Sequence, residues 1–201
     1  MTGVAETTEA APEEMGATSW KARIFLAIVP AVLLLDWVTK RWALESLPGN
    51  PQEILGGLVP LTFALNTGAA FGIMNDGGDS RWFFIPVTLV ALGLIATLFR
   101  QAEPGDRLRI TALSLVVAGA LGNLWDRVRW SQGVVDFLGP IDLIFWNFPI
   151  FNVADIAISI GAVFLAISFW QEERREGARA RAEAAGADGE SSQPQGADAA
   201  S

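Results

Sequence analysis

Hydrophobic positions along this chain gather into four long runs, at about residues 22–43, 82–99, 110–125 and 151–170. Each approaches the roughly 20 residues that a helix needs to cross the hydrocarbon of a bilayer. The pattern predicts four transmembrane helices. The second run carries no charge, and the third is short and contains glycine. Pro30 and Pro86 fall inside runs, a position that membrane helices tolerate better than soluble ones.

The segments between the runs differ. "RQAEPGDRLR" at 100–109 is a short hydrophilic turn. Residues 45–81 are long, rich in Gly and Pro, and include the strand-prone "GGLVPLTFAL", which predicts a small β-containing platform at the membrane surface. Residues 127–148 include the aromatic-rich "FLGPIDLIFWNF", as expected of an interfacial loop. Long loops of this kind usually carry function. The expected fold class is an all-α membrane protein of four transmembrane helices, with an extracytoplasmic β-containing platform and an interfacial loop.

Charge orients the bundle. With both ends cytoplasmic, the inner side holds Lys21, Arg23, Arg100, Arg107, Arg109, Arg174, Arg175, Arg179 and Arg181, against Lys40, Arg41, Arg81, Arg127 and Arg129 outside. The excess of inner positive charge favours that orientation. Residues 1–19 are polar and acidic with no basic residue, and residues 172–201 become rich in Ala, Gly, Ser and Glu. Both read as disordered cytoplasmic extensions flanking a membrane domain at 20–171.

Composition narrows the chemistry. Of 201 residues, 51% are hydrophobic, and there is neither histidine nor cysteine. Thiolate chemistry, imidazole bases and the common zinc sites are excluded. Acid–base work near neutral pH falls to carboxylates, lysines or hydroxyls. No metal site or cofactor is expected, and without a basic patch no nucleic-acid partner is expected either.

The polar residues near the spans gather at one end. Asp36 and Lys40 close the first run, Asn123, Asp126 and Arg127 the third, and Asn152 and Asp155 open the fourth. Asn66 and Asp136 lie in the outer loops. Most have an ordinary structural explanation. Asp36 and Lys40 are spaced for an i,i+4 ion pair, and Asp126 and Arg127 for snorkelling into headgroups. Asn123 suits a hydrogen bond between helices, and Gly68 with Gly72 suits close packing. Asp155 is harder to dismiss, because an ionised carboxylate in a membrane helix costs at least ~2.5 kcal/mol and no basic residue lies within a turn or two of it. Asp136 is the candidate partner, brought to it by a re-entrant loop. Two carboxylates in a poorly solvated site share one proton, and such a pair can activate water and protonate a leaving amine.

These motifs resemble the lipoprotein signal peptidases, the type II signal peptidases of bacteria. The matching stretches are "DWVTK" at 36–40, "NTGAAFG" at 66–72, "GALGNLWDRV" at 119–128, "GVVDF" at 133–137 and "FPIFNVADIAI" at 148–158. The resemblance implies an aspartic endopeptidase that removes signal peptides from diacylglyceryl-modified prolipoproteins, cutting before the lipidated cysteine. It places the catalytic pair at Asp136 and Asp155. Asn66, Asn123, Arg127 and Asn152 then line or support the site, with Asp36, Lys40, Gly68 and Asp126 as further supporting residues. Asp126 lies in an equally strong motif and competes for the second acid. The expected partners are the lipidated precursors and membrane lipids, with the enzyme a monomer.

Other classes make different demands. A Ser/Lys protease would have to use Lys40, since Lys21 lies at the inner end. A proton channel would need polar residues across the bundle. A non-catalytic assembly subunit would use the same residues only to hold helices together.

Overall fold

The computed structural model describes residues 12–68, 81–103, 105–143, 145 and 147–191. Four helices, α1 (Pro12–Ser46), α2 (Arg81–Gln101), α3 (Arg107–Arg129) and α4 (Val153–Ser191), carry the chain. Each contains a stretch long and apolar enough to cross a membrane. Strands β1 (Gln52–Ile54) and β2 (Val59–Asn66) follow α1; β3 (Val134–Leu138), β4 (Ile141–Asp142) and β5 (Asn147–Phe148) lie between α3 and α4. The chain divides into two compact units, Met1–Leu165 and Ala166–Ser201.

In the first unit α3 is the enclosed helix. Ile110, Ala112, Leu113, Ala118, Gly119 and Gly122 are all buried along it, whereas α2 buries no residue and exposes Trp82, Val87, Val90 and Leu94. A soluble protein rarely leaves such a face open, while lipid covers it without cost. Glycine sets the approach of α3 to the start of α4. A Cβ on Gly119 would collide with the carbonyl oxygen of Ala154, and one on Gly161 would meet Val116 Cγ2 at 2.6 Å. Small residues bring membrane helices this close, and dispersion then holds them.

The platform draws on both outer segments. Strands β1, β2 and β3 form one antiparallel sheet with β2 central; β4 and β5 form a separate hairpin pair. The expected interfacial loop therefore contributes a strand that sequence pattern did not predict. "VVDFL" lacks alternation because Val134, Val135, Asp136 and Phe137 are all buried. One face is covered by the end of α1, where Val135 and Phe137 pack with Ala43, Leu47 and Leu61. Asp136 points to the opposite face, as the period of two requires.

Both expected extensions are helical where described. α1 begins at Pro12, a residue suited to the first turn. In the second unit α4 continues to Ser191, with residues 173–182 exposed. Its Ala, Glu and Arg are strong helix formers, and the Arg174 guanidinium stacks 4.8 Å from the Trp170 ring one turn earlier. The outer parts of both extensions lie outside the described residues, as does Gly72.

Candidate active site

The site forms where the sheet, α1, α3 and the N-terminus of α4 meet. Asp136 stands opposite Ala64 on β2, and Asn66 stands opposite Val134. Asn66 and Asp136 are thus diagonal neighbours on one face of the sheet, within reach of each other. Asn66 Nδ2 donates to Asp136 Oδ2 at 2.8 Å. The Asn66 amide is fixed by a second bond, its Oδ1 accepting from the Gly68 N–H at 2.8 Å. Gly68 has φ +83°, and a Cβ there would run into the Phe84 ring, so both backbone and space demand glycine.

On its other edge β3 pairs with Phe151. Leu138 and Phe151 exchange two backbone hydrogen bonds of 2.9 Å. That bridge sets the next residue, the fully buried Asn152, beside Asp136. Asn152 Nδ2 donates to Asp136 Oδ1 at 2.7 Å, so both oxygens of Asp136 accept an amide N–H. The expected re-entrant loop is instead a strand, whose ladder bonds hold Asp136 more firmly than a loop would.

Asn152 also caps α4. Its Oδ1 accepts from the Asp155 N–H at 3.0 Å, and Asp155 Oδ2 accepts in return from the Asn152 N–H at 3.2 Å. This is a reciprocal capping box. An acid three residues after a cap residue and just before an apolar run is its sequence signature, and it gives Asp155 a structural reason to exist that the sequence pattern alone had not supplied. The Ala154 N–H, another free donor of that first turn, is taken by Asp36 Oδ1 at 2.9 Å.

Beneath the two carboxylates lies a buried ion cluster. Lys40 Nζ reaches Asp36 Oδ2 at 2.8 Å, Asp126 Oδ2 at 2.9 Å and Asn123 Oδ1 at 3.0 Å, matching the three donors of an ammonium group. The spacing of Asp36 and Lys40 predicts their ion pair correctly. Asp126 does not snorkel; it is buried against Lys40. Asn123 Oδ1 accepts from Lys40 and, at 3.1 Å, from Asn152 Nδ2. Its own Nδ2 must therefore face Asp155, and it donates to Asp155 Oδ1 at 2.8 Å. Lys40 thus fixes the polarity of the amide that reads Asp155, a link between α1, α3 and α4 that no local signal predicts. Arg127 donates to the Asn123 carbonyl at 3.3 Å, and its guanidinium lies 4.8 Å from the Phe84 ring. Phe84 is a contributor from α2 with no sequence signal of its own.

All the site residues expected from sequence converge here, but the two aspartates do so through Asn152, which touches both. Burial pushes the Asp136 carboxyl up to about 6; the charge of Asp155 acts in the same direction, while the bonds from Asn66 and Asn152 and the charge of Lys40 oppose it. Desolvation wins because Asp136 is enclosed. The arrangement offers a protonatable acid beside a second carboxylate, both held by amide donors, which can accept a proton from water and return it to a leaving group.

Comparison with known proteins agrees with this geometry. The family model described as signal peptidase (SPase) II matches residues 28–171. The lipoprotein signal peptidase of Geobacter sulfurreducens is 41% identical over 163 residues, covering 77% of this chain and 96% of that protein. That of Geobacter metallireducens is 40% identical over 160 residues, covering 77% and 94%. A bacterial membrane enzyme solved by the in meso method at 1.9 Å superimposes with a TM-score of 0.65 at 32% identity, covering 72% of this chain and 91% of that one. Four spanning helices and bacterial relatives make this a multi-pass protein of the bacterial inner membrane. The chain belongs to the signal peptidase II family of membrane proteases.

Proposed function

We propose that Asp136 and Asp155 are the catalytic pair with which this peptidase removes the signal peptide from diacylglyceryl-modified prolipoproteins, cutting before the lipidated cysteine. The anionic role falls to Asp155, whose two oxygens accept N–H bonds from Asn123 and Asn152 at the N-terminus of α4. It takes a proton from water as the water oxygen attacks the scissile carbonyl. Asp136, raised to about 6 by burial, holds the shared proton and gives it to the carbonyl oxygen. Collapse of the tetrahedral intermediate breaks the C–N bond: the proton taken from water passes to the leaving amine, and one hydroxyl proton of the intermediate returns to Asp136, which restores the pair. The products are a signal peptide carboxylate and a free amino group on the lipidated cysteine. Asn66, Asn152 and Asn123 orient the pair. Lys40, Asp36 and Asp126 position those amides, Gly68 gives Asn66 its turn, and Arg127 supplies a positive charge nearby.

The observation carrying this reading is Asn152, which bonds to one aspartate through its side chain and to the other through its backbone and Oδ1. The reading also sets both termini in the cytoplasm and the site at the extracytoplasmic face, where a lipidated precursor held in the outer leaflet presents its scissile bond. Residues 20–171 then form the peptidase domain of a monomer, with 1–19 and 172–201 as non-catalytic extensions. Asp136→Asn and Asp155→Asn are each expected to abolish cleavage of a diacylglyceryl precursor while the protein still inserts. Normal processing by both variants would overturn the assignment.

A further inference from the structure

Between α1, α2 and α3 runs a groove of about 760 Å³, with Lys21 and Arg100 at one end and Leu121, which also lines the cavity beside Asp36, Lys40 and Asp126, at the other. Lys21 at its mouth and Lys40 in the ion cluster are 19 residues apart on one helix, about 28 Å at 1.5 Å per residue. That is close to the ~30 Å depth of bilayer hydrocarbon, so the groove opens at the opposite membrane boundary. Val117 and Leu121 of α3 form its floor, with Phe25 of α1 and Leu92 and Phe99 of α2 as walls. Phe25 and Phe99 meet edge to face, centroids 5.7 Å apart, and join the two walls.

Among the described residues, the charged groups lining this groove are both positive, Lys21 and Arg100. Lys21 Nζ donates to the Ala102 carbonyl at 2.7 Å, which uses one of its three donors and ties the ammonium to the end of α2. Arg100 is exposed in the last turn of α2. Two cations at the mouth of an apolar groove between membrane helices complement a phosphate joined to an acyl chain. The guanidinium can engage such a phosphate through two parallel N–H bonds. The orientation rule alone would put basic residues at this boundary; the observation specific to this site is that both flank a cavity between three helices.

From this groove we propose a binding site for an anionic glycerophospholipid: one acyl chain lies along Val117 and Leu121, and the phosphate sits between Lys21 and Arg100. The two cations lie away from the peptidase centre, which the groove reaches only at Leu121, and the proposal does not depend on that reading. In the orientation proposed above, its lipid belongs to the inner leaflet.

The test titrates the purified full-length chain in mild detergent with phosphatidylglycerol or phosphatidylcholine and counts retained lipid by native mass spectrometry. The wild-type protein is expected to bind the anionic lipid more tightly. Lys21→Gln/Arg100→Gln is expected to weaken that binding about tenfold or more. Phosphatidylcholine binding stays unchanged, and the variant still cleaves a lipidated precursor. Equal affinity of the wild type for both lipids, or an undiminished preference in the double variant, would overturn the proposal. If the double variant loses its helical circular dichroism, Arg100→Gln alone, at an exposed position, serves in its place and is expected to lose severalfold of the preference. Retention of the full preference there would count equally against the site.

Discussion

The side-chain amide of Asn152 lies 2.7 Å from Asp136 while its carbonyl oxygen accepts the Asp155 N–H. One residue therefore follows directly on the β3 pairing, caps α4 and spaces the two acids. Helix capping and the spacing of the two proposed catalytic acids are the same event in this fold.

Capping and catalysis separate by substitution at this position. Asn152→Ala is expected to cost about 1–2 kcal/mol as a lost N-cap and to lower kcat by roughly 10²-fold through loss of preorganisation. Asn152→Ser keeps a good cap but is too short to reach Asp136. It should recover most of the melting temperature in detergent and little of the activity. Recovery of both would show that Asn152 acts only on the helix.

Asp126 competes with Asp136 in the sequence, and in the structure its carboxylate pairs with Lys40. Buried against Lys40, it is expected to govern stability. Asp126→Asn should lower the melting temperature while leaving measurable cleavage, whereas Asp136→Asn should leave none. Complete loss of cleavage in an Asp126→Asn protein of unchanged melting temperature would reverse the roles.

Removing Lys40 strands two buried carboxylates. Lys40→Met is expected to destabilise by about 3–5 kcal/mol, the usual cost of breaking a buried pair from one side. Lys40→Arg should rescue it poorly, because a planar guanidinium does not match three acceptors arranged around an ammonium. Denaturation in mixed micelles, read by circular dichroism, distinguishes the two.

The raised Asp136 carboxyl also predicts a pH effect on stability. Its folded-state value of about 6 lies above the ordinary 3.8, so the folded protein holds this proton more tightly than the unfolded chain. The Asp136 contribution to stability is then greatest below about 4, falls as pH rises to about 6, and levels off above it. The full difference is roughly 3 kcal/mol at about 1.4 kcal/mol per pH unit. Melting temperatures between pH 4 and 7 should show this fall in the wild type and lose it in Asp136→Ala.

Close packing gives the last prediction. In Gly119→Ala the new methyl group meets the Ala154 carbonyl, one residue before Asp155. Overpacking of this kind costs about 1–3 kcal/mol, and displacement of the first turn of α4 should lower kcat more than KM changes. A KM effect alone would point to substrate binding at this helix crossing instead.

Residue pattern alone specified the four apolar helices, because bilayer thickness imposes a run length that shows in any single segment. It also determined the Asp36–Lys40 pair, since helical periodicity sets neighbours four residues apart, and through its motifs it pointed to Asp136 and Asp155. That "VVDFL" is a buried strand on β2, that Phe151 extends its pairing, and that Lys40 orients Asn123 toward Asp155 emerge only when the chain is folded. Those contacts join residues 13 to 83 positions apart. No local propensity encodes them, because each depends on where a different element ends and on which donor that end leaves unpaired.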